Sequence, residues 1–274
     1  MNLVSRFASD SPALLSGDSP LTDGQIASFA PSVFAKDPHE SRSQRYQYIP
    51  TIDVLRNLRN HGFEPFFAVQ TRVRNLDKRE YTKHMIRLRH ADDIGSSEVD
   101  EIILLNSHDG TSKYQMLGGV FRFVCQNGMV CGDLNVEIRV PHRGDVIAEV
   151  IKGIFRMRSN FKAAVEQREG MRATILNDYE QFMFARKALE LRYENATGMF
   201  PITETQLLRA RRFEDQSTDL WTIFNRVQEN IIKGGLRGRN RDGKVMTTRP
   251  IRGIDTNLKL NRALWLLADK QRRH

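Results

Sequence analysis

Cationic side chains recur along a stretch of short, β-rich segments between Phe63 and Gly132. Successive residues of a strand point to opposite faces of a sheet, and here charged residues alternate with apolar ones. If the segments pair in sequence order, one face is a core and the other carries a basic stripe that could neutralise nucleic-acid phosphates. The same pattern is typical of a sheet face that long cations keep in water. The stripe would consist of Arg72, Arg74, Lys83, Arg87, Arg89 and Arg122.

A second group of cations lies on a long helix predicted after the sheet, from about residue 145 to residue 167. Val150, Ile154 and Phe161 recur at helical spacing and predict the buried side of this helix. The opposite side carries a cationic edge, which we expect to form the second wall of a groove beside the basic stripe. This edge consists of Lys152, Arg156, Arg158 and Lys162.

The strongest charge signal is in the last forty residues. The formal net charge is +9, and residues 233–274 hold twelve Lys or Arg against three Asp or Glu. Residues 233–253 predict a glycine-rich basic loop, in which Arg237, Arg239 and Arg241 offer forked donors that match phosphates. We expect this loop to clamp a nucleic-acid strand. The alternative is a mobile, solvated loop that attracts polyanions only weakly.

Residue types that could catalyse a reaction form no recognisable motif. The sequence contains no phosphate-binding Gly-x-x-x-x-Gly-Lys-Ser/Thr loop, no Gly-x-Gly-x-x-Gly, no Gly-x-Ser-x-Gly and no His-Glu-x-x-His. His84 and His90 would share a strand face as a solvated pair, because no third metal ligand is near them in sequence. Asp92 and Asp93 begin an acidic patch that continues through residues 98–101 and could bind a divalent ion, although solvation is the commoner outcome. We expect no enzyme activity, no bound metal and no cofactor.

Cysteine usage and hydropathy indicate a cytoplasmic protein. The two cysteines, Cys125 and Cys131, flank an Asn127-Gly128 turn and are too few for a zinc site or a disulfide-rich secreted domain. Free thiols are expected, and a disulfide between them is the open alternative. No apolar segment has membrane-spanning length and the N-terminus lacks a signal-peptide pattern, so we expect a soluble protein with no membrane partner.

The order of segments predicts an α+β fold, with an antiparallel β-meander packed against long helices and a helical C-terminal part. Residues 1–50 are rich in Ser, Pro and Asp and predict an extended N-terminal arm that becomes ordered against another molecule, for example a neighbouring copy. Residues 51–200 would form the α+β core of helix, meander and long helices. Residues 201–274 would form a helical region that carries the basic loop, and whether these helices share the domain of the sheet stays open.

Three segments of the sequence carry a family resemblance. Phe121–Met129, Val227–Gly235 and Asn257–Trp265 resemble the phage-, prophage- and plasmid-borne proteins grouped as domain-of-unknown-function family 932. The resemblance spans nearly the whole chain and implies that the protein belongs to a mobile element. It implies no activity.

A second resemblance is topological. A short helix, an antiparallel meander and a long helix follow one another as in the core of single-strand annealing proteins, the group that contains the RecT/Redβ recombinases. This resemblance implies rings or filaments of identical subunits that hold single-stranded DNA in a basic groove between sheet and helices. No motif of that group transfers to individual residues.

These observations lead to one main hypothesis and one alternative. The main hypothesis is single-stranded DNA binding and ATP-independent strand annealing for recombination of a mobile element, by a homo-oligomer that works with a phage or plasmid exonuclease or with host recombination proteins. The alternative is an interaction protein that binds a host nuclease or restriction factor through its basic loop. The preference for DNA over RNA, the subunit number and the pathway stay open.

Overall fold

The chain folds into an α+β structure, as the sequence predicts. The computed structural model describes residues 2–4, 13–16, 19–43, 46, 48–73, 75–93, 98–112, 114–122, 127–130, 146–193 and 200–273. Within these residues the chain divides into two compact units, and the division falls inside a helix between Phe161 and Lys162. The expected boundary at residue 200 is therefore too late, because the long helix after the sheet contributes to both units.

The N-terminal unit is built on an antiparallel meander whose strands follow one another in chain order. The strands from Phe63 to Arg122 pair antiparallel with their neighbours in chain order, so the predicted meander is confirmed. The strands of the sheet are β1 (Asn2–Val4), β2 (Ala13–Ser16), β3 (Phe63–Gln70), β4 (His84–His90), β5 (Glu98–Asn106), β6 (Gln115–Arg122) and β7 (Asn127–Val130).

Two helices cover one face of this sheet. Helix α2 (Thr51–Asn60) is followed by Gly62, whose φ of 80° suits glycine, and helix α3 (Val146–Ala173) comes after the meander. Leu58 of α2 and Ile154 of α3 are fully buried in one hydrophobic cluster with the strand residue Ile86. Burial of this cluster removes a large apolar area from water, which is the main stabilising contribution in a unit of this size.

The other face of the sheet is buried as well. Phe67, Met85, Ile103 and Leu105 point away from the helix-covered face and are each less than a tenth exposed. The expectation of an open, solvated sheet face is therefore wrong. The runs of β3, β4 and β5 are almost entirely buried, which is typical of strands covered on both faces.

The segment predicted as an extended arm is partly folded into the N-terminal unit. Helix α1 (Asp23–Phe29) begins with a capping box between Thr22 and Gln25, and a short 3-10 helix (Pro31–Phe34) follows. Leu21, Ile26 and Val33 are buried in the same core as α2. The arm interpretation is therefore wrong for residues 19–43.

The C-terminal unit is helical. Its centre is a helix that is buried from Leu220 to Ile232. The rings of Trp221 and Phe224 on this helix and the ring of Trp265 on the last helix lie 5.5–6.0 Å apart between centroids. The elements of this unit are the end of α3, α4 (Asp178–Arg192), α5 (Glu204–Leu208), α6 (Leu220–Lys233), β8 (Arg237–Arg239), β9 (Val245–Thr247) and α7 (Ile254–Arg272).

The described part of the chain contains neither a helix that could span a membrane nor a cluster of metal ligands. No helix there combines the length and the apolar character that crossing a membrane requires. In the same residues no three His, Cys, Asp or Glu side chains come together in an arrangement that could hold a metal ion. Cys125 and Cys131 lie outside the described residues, so their pairing stays a prediction.

Candidate nucleic-acid interface

The sheet arginines of the predicted basic stripe are engaged in buried ion pairs. Arg87 Nε and Arg89 Nε each lie 2.9 Å from a different carboxylate oxygen of Glu101, and the Glu101 side chain is fully buried. The guanidinium of Arg89 stacks between the rings of Phe66 and Phe121, at 4.4 and 4.2 Å from their centroids. This arrangement compensates buried charge, and it leaves Arg89 only 1% exposed.

The other residues of the predicted basic stripe do not form a continuous basic surface with Arg87 and Arg89. Arg122 Nε lies 3.7 Å from Glu98 Oε1 with its side chain 11% exposed, and Lys83 is half-buried. Arg72 is exposed but follows the end of β3, and Arg74 lies outside the described residues. The predicted continuous basic stripe on the sheet is therefore wrong.

The cationic edge of α3 is at the surface where the structure describes it. Lys152, Arg156 and Lys162 are exposed, and Lys152 Nζ pairs with Glu149 Oε1 at 2.9 Å. The side chain of Arg158 lies outside the described residues. Because the division between units falls at Lys162, the predicted groove between this edge and the sheet stays a prediction.

His84 belongs to a buried polar cluster instead of the expected solvated pair. Its Nδ1 lies 2.9 Å from Ser32 Oγ and its Nε2 lies 2.9 Å from Thr51 Oγ1, while the ring of His108 stands 5.3 Å away. Burial lowers the pKa of His84 to about 3, with a smaller contribution from the neighbouring His108. Burial also lowers the pKa of His108 to about 4. The cluster joins α2, the sheet and the 3-10 helix with neutral imidazoles.

The basic loop predicted after α6 is a β-hairpin. Strands β8 and β9 pair antiparallel, and the turn closes through Asn240 N–H, which donates to Lys244 O at 2.9 Å, with Gly243 at a φ of 75°. Arg237, Arg239 and Arg241 are all exposed. The three arginines are therefore presented by a hairpin and not by a structureless loop, and their contact with a nucleic-acid strand stays a prediction.

A close contact fixes this hairpin on the segment before α5. Gly238 of β8 packs directly over Pro201, and Arg239 N–H donates to Pro201 O at 3.0 Å. A Cβ atom at position 238 would lie 1.7 Å from that oxygen, so only glycine fits there. Gln206 adds a hydrogen bond from its side-chain amide to Arg237 O at 2.7 Å.

Replacing Gly238 with alanine is expected to detach the hairpin from this support. The clash is with backbone, so relief requires moving β8, at a cost of about 1–3 kcal/mol. We expect a lower melting temperature and faster tryptic cleavage at the hairpin arginines. Thr247→Ala, an exposed change in the same hairpin, is the matched control and should leave cleavage unchanged. Equal cleavage of both variants would contradict the assigned contact.

Beside the hairpin, the C-terminal unit contains a cavity of about 1070 Å³. Two aromatic rings, Tyr193 and Phe200, line it with centroids 6.2 Å apart and planes inclined by 32°. Burial raises the pKa of the Tyr193 phenol, which stays neutral. Among the residues that the structure describes, the cations that line the cavity are Arg192, Arg239, Arg241 and Lys259, and the acid is Asp255. We call this site the cationic-aromatic cleft.

The structure thus assembles a site that sequence reasoning recognised only in part. The hairpin arginines were predicted, whereas Arg192, Tyr193, Phe200 and Lys259 were not. The available signal was the placement of two aromatic residues around the end of α4, in front of a strongly basic segment. Local spacing could not show that these residues meet, because α4, the hairpin and α7 converge only in three dimensions.

Comparisons with known proteins place the chain in a family. The family model described as a domain of unknown function, DUF932, matches residues 38–265. Two Escherichia coli (strain K12) proteins, the UPF0380 proteins YfjQ and YafZ, are each 52% identical over 267 residues, which cover 97% of this chain and 96% of each relative. No solved structure matches, so the likeness to single-strand annealing proteins stays a hypothesis. The chain belongs to the DUF932 family, as the sequence predicts.

Proposed function

We propose that this protein binds single-stranded DNA through its C-terminal unit and promotes strand annealing without ATP, as a homo-oligomer that serves recombination of a mobile element. The observation that carries the proposal is the cationic-aromatic cleft. It combines Tyr193 and Phe200 with Arg192, Arg241 and Lys259 in one concave site. Proteins that bind single-stranded nucleic acid without sequence specificity use this combination of aromatic rings for stacking and cations for phosphates.

The chemistry of the cleft favours a single strand over a duplex. Unpaired bases expose their π-faces and can stack on Tyr193 or Phe200, a contribution of about 1–3 kcal/mol per base. In a duplex these faces are already covered by neighbouring base pairs. The apolar lining around the rings, which includes Met246 and Leu260, suits bases, and the cations suit the phosphates that connect them.

Annealing requires no bond-making group. Cations that neutralise one backbone lower the repulsion toward a second strand, and base edges that stay accessible can then pair. The exposed hairpin arginines Arg237 and Arg239 are suited to approach such a second strand. The proposal is therefore a non-enzymatic function, in which Arg87 and Arg89 stabilise the sheet and do not contact DNA.

The test is a fluorescence-anisotropy titration with a labelled single-stranded oligonucleotide at several salt concentrations. We expect Arg241→Ala/Lys259→Ala to weaken binding about tenfold or more and to lower the slope of log affinity against log salt by about 0.7 for each lost phosphate contact. Lys36→Ala/Arg56→Ala removes the same charge from exposed positions of the N-terminal unit and should leave both quantities unchanged.

The aromatic residues give a second, distinguishable result. Tyr193→Leu is expected to weaken binding about fivefold to a hundredfold without changing the salt slope, because a stacking contact releases no counterions. Addition of the complementary strand then tests annealing directly. We expect the duplex to form faster with the protein than without it, in the absence of ATP. Absence of binding at low salt would contradict the proposal and would favour the alternative, a hairpin that docks on a host nuclease or restriction factor.

A further inference from the structure

The C-terminal unit exposes an apolar patch at the beginning of α4. Ile175, Tyr179 and Phe182 are 65%, 72% and 42% exposed. Tyr179 and Phe182 lie three residues apart and share a helix face. Ile175 lies three residues before the first residue of α4. We call these three residues the α4 patch. Large exposed apolar side chains that are grouped in one segment mark interaction sites more often than single scattered ones do.

The α4 patch is held rigidly. Leu176 N–H donates to Thr218 O at 3.0 Å and Leu220 N–H donates to Thr174 O at 2.8 Å, so the segment before α4 is pinned to the beginning of α6. A capping box between Asn177 and Glu180 fixes the first turn of α4. A patch presented by a fixed backbone loses little conformational entropy when a partner covers it.

The rim of the α4 patch is acidic. Asp178 is exposed within the patch, Glu180 lies in the same turn, and Asp219 pairs by an isolated β-bridge with Ile175. Arg172, the nearest cation before the patch, forms an ion pair with Glu169. The surface therefore suits a partner that offers an apolar side chain surrounded by positive charge.

The outer face of the hairpin has this complementary character. Val245 is 62% exposed and stands directly across from Arg239, and the next pair on the same face is Arg237 with Thr247. Strand alternation turns the neighbouring Met246 to the opposite side, where it lines the cationic-aromatic cleft. We call the outer face around Val245 the hairpin knob.

We propose that the hairpin knob of one copy seats on the α4 patch of the next copy. The two surfaces are different and both belong to one chain, so the contact is head-to-tail and leaves one free patch and one free knob at the ends of every open assembly. Such contacts build rings or filaments. Met246, Tyr193 and Phe200 of the cleft stay outside the contact, whereas Arg239 lies on the contacting face and also lines the cleft. The inference deepens the homo-oligomer part of the proposed function and does not depend on DNA.

The experiment measures molar mass by light scattering across protein concentrations up to about 0.1 mM, a range that detects weak contacts. Wild type is expected to gain mass with concentration. Val245→Asp places a carboxylate against the acidic rim, and Tyr179→Lys places a cation against the basic knob, so each should raise the concentration for half-assembly about tenfold or more. Leu266→Asp, at an exposed apolar position of α7, should behave as wild type.

Mixing the two variants tests the head-to-tail geometry. Val245→Asp retains an intact patch and Tyr179→Lys retains an intact knob, so an equimolar mixture should form a dimer and nothing larger. A mixture that stays monomeric, variants that assemble as wild type does, or a wild type that stays monomeric would each overturn the inference. Anisotropy with the oligonucleotide is recorded on the same samples, so that loss of assembly and loss of DNA binding are measured separately.

Discussion

Replacing Glu101 with glutamine is expected to lower the free energy of unfolding by about 3–5 kcal/mol. Its carboxylate is fully buried and pairs at 2.9 Å with both Arg87 and Arg89. The neutral amide would remove the negative charge that Glu101 places 2.9 Å from each of the two arginines, and this charge offsets part of the desolvation of Arg89 between two phenyl rings. Urea denaturation at neutral pH, followed by circular dichroism, measures this loss.

Two further variants make this prediction specific to the buried charge. Glu64→Gln removes a carboxylate whose pair with Arg59, at 3.3 Å, is partly exposed, and such pairs contribute about 0–1 kcal/mol. Glu101→Leu combined with Arg89→Met removes the buried carboxylate together with the more deeply buried of its two cations. This double variant should regain part of the stability that Glu101→Gln loses. A loss for Glu101→Gln as small as that for Glu64→Gln would contradict the assigned ion pairs.

The strands of the sheet could be predicted from the sequence, whereas the burial of Arg87 and Arg89 in ion pairs could not. Alternation and turn residues are local signals, and they predicted the meander and its order. Which residues share a face depends on register, and a β-bulge between Pro65 and Phe67 shifts the pairing so that Arg87 stands beside Phe67. A shift of one residue exchanges the two faces of a strand, and local pattern does not reveal it.

The burial of Glu101 was also not predictable from the sequence. In sequence it belongs to a run of acids that suggests a solvated loop, yet Glu98–Asn106 is a strand and Glu101 lies inside the sheet. Its burial depends on two arginines that are distant in sequence by more than ten residues. Charge counts alone therefore predicted a binding surface where the structure has an internal ionic cluster.

Helix boundaries followed local chemistry more closely. The spacing of Thr203 and Gln206 is typical of a capping box, and that box is present at the beginning of α5. The N-terminal segment was misjudged because its composition is polar. A few apolar side chains, such as Ile26, and a hydrogen bond from Ser32 N–H to the buried Gln70 side chain at 3.1 Å are sufficient to dock it. Tertiary contacts of this kind override composition.

Acidification is expected to destabilise the fold between pH 6.5 and about pH 4. In the unfolded chain both histidines bind a proton below their ordinary pKa of 6.5, whereas in the folded chain His84 and His108 stay neutral until about pH 3 and pH 4. The unfolded state then binds more protons, so the free energy of unfolding falls as the pH falls. Between its folded and unfolded pKa values, each histidine contributes about 1.4 kcal/mol per pH unit to the slope of the free energy of unfolding against pH. Above pH 6.5 this slope vanishes.

Urea denaturation at intervals from pH 7.5 to pH 4.5 tests this expectation through the slope of stability against pH. His108→Gln removes one of the two buried titrating rings, so the slope below pH 6.5 should decrease by about 1.4 kcal/mol per pH unit, whatever the variant does to stability at neutral pH. His61→Gln, at an exposed ring beside Phe155, is the matched control and should retain the wild-type slope. An unchanged slope for His108→Gln would show that His108 is not held neutral in the folded protein. A decrease shared by both variants would place the titration outside the buried cluster of Ser32, Thr51, His84 and His108.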